Sequence, residues 1–186
     1  MSTSTEAAAK PTIPAGEFSV DPVHSTVGFA VTHNEISTFR SAFKSYEARL
    51  VGGESPRLEG TVDVESIDVA DEMLKGHLLS PEFFDAERHP KLRFASTALD
   101  VAADGTVRLA GELEIRGSKR EVRAEGRFAE LGEDAQGQAR VGLSLGATVD
   151  RRDFGLEWQA ELPGGGQLLD WTVKIEVELE LVAADG

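Results

Sequence analysis

From Val23 to Leu181 the chain alternates apolar and polar residues with a period of two, and helical spacing is rare. The last run is the cleanest. Trp171, Val173, Ile175, Val177, Leu179 and Leu181 stand against Thr172, Lys174, Glu176, Glu178 and Glu180. Each such run gives a strand with one apolar and one charged face. With so little helix to cover it, the apolar face must be buried by the sheet closing on itself or folding into a sandwich.

The same pattern recurs along the chain. Val27, Phe29 and Val31 share a face, with Gly28, Ala30 and Thr32 opposite, and His33 continues the apolar parity. Phe39 and Phe43 follow on one face of the next strand. After Lys44 the parity slips, because Tyr46, Ala48 and Leu50 now carry the inner face, and a bulge is the simplest cause. In the second half Val107, Leu109, Leu113 and Ile115, then Val122, Ala124 and Phe128, then Val141 through Val149 repeat the alternation. Turns such as Ala103-Asp104-Gly105 and Gly117-Ser118 join neighbours antiparallel. The reading is all-β: roughly eight strands in one domain over residues 17–183, after a flexible lead over 1–16 closed by Pro11, Pro14 and Gly16. An eight-stranded closed barrel is wide enough to be filled by side chains or to hold one small ligand.

One stretch departs from the pattern. Asp71 to Leu79 places Leu74 and Leu78, with Met73 beside them, at helical spacing, and predicts a short helical insertion around residues 71–86. Gly76 makes that helix dependent on packing. Phe83 and Phe84 then lie between Pro81 and Pro90 and read as a lid over the sheet's interior, one ring turned inward and the other bracing the insertion.

Composition removes several function classes. A net charge of −14 argues against nucleic acid and against anionic membrane surfaces. There are no cysteines, so thiol, disulfide and Cys-based zinc chemistry are absent. No segment has the length and apolarity of a membrane span, so stable membrane insertion is not expected. The first sixteen residues lack a signal-like apolar run, and the expected location is the cytoplasm. His24, His33, His77 and His89 have no HExxH spacing, Gly164-Gly165-Gly166 lacks the Lys of a phosphate loop, and no GxSxG elbow occurs. A zinc site from His77, Asp85 and His89 is the weaker reading beside capping and core roles, and neither metal nor catalytic residues are expected. Asp150-Arg151-Arg152-Asp153-Phe154-Gly155 reads as an ion-pair corner. In the alternative, Arg151 or Arg152 faces the barrel mouth and meets a polar ligand group.

Taken together these residues resemble the YceI-like polyisoprenoid-binding proteins over about Phe18 to Val182. The elements that carry the resemblance are Asp21-Pro22-Val23-His24-Ser25 with its following strand, Ser66-Ile67-Asp68, His77 through Asp85 and on to His89-Pro90, Gly111 through Gly117, and Asp150 through Gly155. The resemblance implies an elongated, lipocalin-like eight-stranded antiparallel barrel with a helical insertion. It further implies an apolar tunnel for a long prenyl chain, as in isoprenoid quinones or polyprenyl phosphates, and a homodimer. Phe18 stands where the family usually has Trp, Ser41 and Ala48 where it has Gly, and Leu74, Lys75 and Leu79 make the lid more apolar than usual.

Three functions follow. The first is non-catalytic carriage or sequestration of an isoprenoid lipid, with no other cofactor. Its expected ligand contacts are Phe29, Val31, His33, Phe39, Phe43 and Leu78, with Phe83, Phe84 and Phe94, and with Arg152, Phe154, Val173 and Ile175. The second is an enzyme using His33 or His24 with Arg152. The third is a side-chain-filled barrel acting through its surface, as a stress-related dimer. A continuous tunnel favours the first over the third.

Overall fold

The computed structural model describes residues 12–184. Its strands are β1 (Glu17–Val20), β2 (Thr26–His33), β3 (Ser37–Phe43), β4 (Tyr46–Val51), β5 (Arg57–Asp63), β6 (Lys91–Val101), β7 (Thr106–Ile115), β8 (Ser118–Leu131), β9 (Arg140–Asp150) and β10 (Leu169–Ala183). One helix, α1 (Glu72–Leu79), and two 3₁₀ turns, Val64–Ser66 and Arg151–Phe154, complete the order.

All ten strands join one antiparallel sheet, in the order β1-β4-β5-β6-β7-β8-β9-β10-β2-β3, with β1 also paired to β10. That last pairing closes the sheet. β1 and β2 lie one after the other along the same edge of β10, β1 against Leu181–Ala183 and β2 against residues 169–178. β3 and β4 likewise pair in succession with β2 and β1. Counted by position around the wall, the ten segments make an eight-stranded, closed antiparallel barrel, one of the two closures that the alternation allows.

The parity slip after Lys44 is the join between β3 and β4. There Lys44 N–H donates to Ser66 O at 3.0 Å and Ser45 N–H to Ser66 Oγ at 2.9 Å, so the turn after β5 meets the backbone that the break frees. The break between β1 and β2 is held differently. Arg140, at the start of β9, donates to Asp21 (2.9 Å), Asp134 (2.6 Å) and Glu180 (2.7 Å). His24 lies 2.9 Å from the same Asp21 carboxylate. His24 and then Arg140 hold the Asp21 carboxyl well below the usual carboxylate range, and Asp21 in turn raises His24 above its ordinary value.

The barrel has two unlike ends. One is solid: Leu50, Val107, Leu143 and Leu181 are buried there with Phe18, Leu99 and Val101, and Ile13 packs into the same cluster at 2% exposure. Ile13 thus corrects the flexible lead expected over residues 1–16. Its carbonyl accepts Gly53 N–H at 3.0 Å, and the chain is anchored from there on. Residues 1–11 lie outside the described residues. The other end carries the segments between β5 and β6 and between β9 and β10, packed in a second cluster around Phe43, Ile67, Leu78, Phe83, Ile115 and Phe154.

Candidate functional site

Between the two clusters runs a cavity of about 630 Å³. Inward residues of nearly every strand form its wall, from Val27, Phe29 and Val31 on β2 to Val173, Ile175 and Val177 on β10. Its depth is set by Leu58, Leu109, Leu145 and Leu179, beyond which the solid end begins. The wall is lined largely by aliphatic and aromatic side chains, because the inner parity of each strand is apolar.

Phe94 shows how the space is kept. Its ring occupies the room over Gly111 on the neighbouring strand β7, where a Cβ would come within 2.5 Å of Phe94 Cζ. Glycine at that position lets the aromatic ring settle against the wall.

The lid is built from both long connections. Asp71 caps α1 by accepting Leu74 N–H at 2.7 Å, and Leu78 is buried beneath the helix. After α1 the chain turns sharply. Phe84 N–H donates to Leu78 O and Asp85 N–H to Ser80 O, and Asp85 adopts a left-handed conformation (φ 50°). Asp85 is buried, and its carbonyl accepts from Arg88 and His89. The expectation for the two aromatics holds in part. Neither ring is turned to solvent, but both border the cavity rather than one alone. Phe84 meets Phe43 edge-on (6.1 Å) against the barrel wall, whereas Phe83 packs with His77 and Trp158.

The second connection begins with the Asp150–Gly155 corner. Asp150 accepts Arg152 N–H at 2.9 Å and pairs with its guanidinium at 2.5 Å, which draws Arg152 outward. Arg152 is therefore exposed and off the cavity wall, a correction to its expected place at the mouth. Arg151 takes the inner position. At 4% exposure it donates to the carbonyls of Asp170 (2.9 Å), Leu156 (2.7 Å), Trp158 (2.8 Å) and Leu169 (3.0 Å). Its guanidinium lies 4.2 Å from the Trp171 ring centre, and burial lowers its pKa. Arg151 is a positioning group: it folds residues 156–170 over the barrel end. Arg116, at the β7–β8 turn, joins the two lid segments by donating to Phe83 O (3.0 Å) and Gly155 O (3.2 Å).

The structure brings twelve of the thirteen expected contacts onto this one wall, all but Arg152. Sequence reasoning missed Tyr46, His77 and Trp158, and offered Arg151 only as the alternative to Arg152. Tyr46 was visible as an inward-parity residue, and its hydroxyl donates to Ser25 O at 2.7 Å. Trp158 sits in a stretch with no periodicity, so nothing pointed to it. The pairing of His33 or His24 with Arg152 is not formed. His24 belongs to the Arg140 cluster at the far end, and Arg152 is bound to Asp150. Among the described residues the one trio spaced for a metal is Asp21, His24 and Glu180, and Arg140 already binds both of its carboxylates.

This architecture agrees with comparison against known proteins. A profile of the YceI-like domain matches residues 18–181. The chain belongs to the YceI-like domain family. Within that family it is similar to a UPF0312 protein of Staphylococcus epidermidis, 27% identical over 169 residues that cover 88% of this chain and 96% of the relative. A UPF0312 protein of Pseudomonas putida is 25% identical over 170 residues, covering 87% and 86%. Among solved structures, Burkholderia cenocepacia BcnA superposes with a TM-score of 0.73 at 22% identity, over 89% of this chain and 99% of that one. A polyisoprenoid binding domain from Saccharophagus degradans gives 0.69 at 14% identity, over 90% and 98%. At those identities the likeness is one of fold, and the YceI-like barrel is common to all of them.

Proposed function

We propose that this YceI-like chain binds a long-chain isoprenoid, an isoprenoid quinone or a polyprenyl phosphate, and carries or sequesters it without chemical change. The observation that carries the reading is the cavity: an apolar space of about 630 Å³ inside a closed barrel, solid at one end and lidded at the other. A side-chain-filled barrel would not leave it. A space of about 630 Å³ lies within the range of about 300–1,000 Å³ typical of ligand-holding cavities. Burying about 500 Å² of prenyl surface yields on the order of 12 kcal/mol before ordering costs of several kcal/mol or more. Affinity then comes from the wall, and few polar contacts are required. The Saccharophagus degradans neighbour, a polyisoprenoid binding domain, supports the ligand class.

Denaturing extraction of the purified chain, followed by lipid mass spectrometry, tests the reading. Recovery of a prenyl lipid in near-stoichiometric amount is expected. Recovery of none, together with no uptake of added quinone, would overturn it.

A further inference from the structure

Among the described residues five large apolar side chains are exposed: Val23, Ile36, Met73, Leu74 and Leu131. They fall at opposite ends of the barrel. Val23 lies between β1 and β2 beside the Arg140 cluster, and Leu131 pairs with Arg140 itself, both at the solid end. Ile36, Met73 and Leu74 lie at the lid end.

Those three belong to one rim. Ile36, 85% exposed, stands at the β2–β3 turn between His33 and Ser37, which both line the cavity. The turn carries left-handed Asn34 (φ 53°) and Glu35 (φ 61°) and is tied to the second connection, Asn34 N–H donating to Leu168 O at 2.7 Å and Gln167 N–H to Glu35 Oε1 at 2.9 Å. Met73, 86% exposed, stands on α1 beside Leu74, which is both 38% exposed and part of the cavity wall. The two sites are linked through the lid. His77 of α1 packs on Trp158 (4.9 Å), the adjacent Gln159 hydrogen bonds to Leu169, and Leu169 pairs with His33. Leu74 thus joins the exposed apolar residues of α1 to the cavity wall.

The geometry points to a lipid-bilayer surface as the partner of this rim, with Ile36 and Met73 entering the headgroup region and Leu74 at the door of the cavity. This rests on the prenyl-binding reading, because a ligand of that class resides in bilayers and must leave one to enter the barrel. An apolar rim joined through Leu74 to an apolar interior provides that passage. The chain's charge of −14 selects the kind of surface: neutral or zwitterionic lipid, since an anionic leaflet repels it.

Flotation with phosphatidylcholine vesicles, and transfer of radiolabelled geranylgeraniol from those vesicles, test the docking. Uptake of geranylgeraniol from detergent micelles tests the cavity separately. Replacing Ile36→Ser together with Met73→Ser should weaken vesicle association and slow transfer by about tenfold or more, the worth of burying such side chains. Micelle uptake should be unchanged, and the matched control Val23→Ser with Leu131→Ser should behave as the unaltered chain. Equal flotation of rim and control variants overturns the docking, as does failure of the unaltered chain to float or a preference for phosphatidylglycerol vesicles. Rim-dependent flotation without micelle uptake in any variant would instead overturn the prenyl reading and leave the docking standing.

Discussion

Two adjacent arginines divide the work at the barrel's lidded end, and the division follows from which neighbour each can reach. Arg152 finds a carboxylate two residues back and stays in water, where an ion pair contributes little. Arg151 points inward and satisfies four carbonyls that the covering chain would otherwise bury without donors. Their truncation should therefore differ sharply. Arg151→Ala is expected to cost about 3 kcal/mol or more in urea unfolding, from several charge-assisted bonds lost and carbonyls left bare. Arg152→Ala should cost less than about 1 kcal/mol. Comparable losses would contradict the assignment. The sequence held both residues in view but not their order. In an Arg-Arg pair at a strand end, only the turn that follows decides which one faces in, and Asp150 as cap of that turn decides it here.

At the scale of elements, α1 is the weakest part of the lid by construction. It is eight residues long, well capped by Asp71, and interrupted by Gly76, where an added Cβ would touch nothing within 4 Å. Gly76→Ala should then stabilise the helix by about 0.5–1 kcal/mol. If α1 opens to admit ligand, the same change slows exchange of bound geranylgeraniol at unchanged equilibrium uptake, measurable by displacement kinetics. Unchanged exchange with raised melting temperature would place the entry elsewhere. The helix was legible from Leu74 and Leu78, as were the strands from their alternation, because both periods are local. Met73 was grouped with them but stands in solvent, since eight residues make too short a stripe to fix its facing. Trp158 and the carbonyls around Arg151 were not legible. They lie in an aperiodic connection whose path is set by tertiary contacts alone.

At the scale of the whole molecule, a charged clasp of Arg140, Asp21, Glu180 and His24 stands where β1 gives way to β2. The pKa of Asp21 is depressed, so its contribution to stability is complete above its unfolded value near 4 and is lost as pH falls through the folded one. His24 is raised, so its contribution is complete below its unfolded value near 6.5 and is lost as pH rises through the folded one. The melting temperature should accordingly fall on acidification below about pH 4, and Asp21→Asn should flatten that slope. Asp21→Asn should also remove a shallower decline on the alkaline side of about pH 6.5. A melting profile unaltered by Asp21→Asn across both windows would show the clasp to be idle. The barrel itself was foreseeable, since an alternating sheet this long must hide one face. Its two unlike ends were not, because the residues filling the solid end and those lining the cavity share one inward parity and differ only in what meets them across the barrel.

The pairing of β1 with β10 carries a further consequence, for the ribosome rather than for the ligand. β1 can pair with β4 early, but its other edge finds β10 only when that strand has emerged. Until then the growing sheet has unpaired edges and an uncovered apolar face, so closure of the barrel waits for β10. A nascent chain halted before Leu169 is an open sheet whose unpaired edges can pair with another chain.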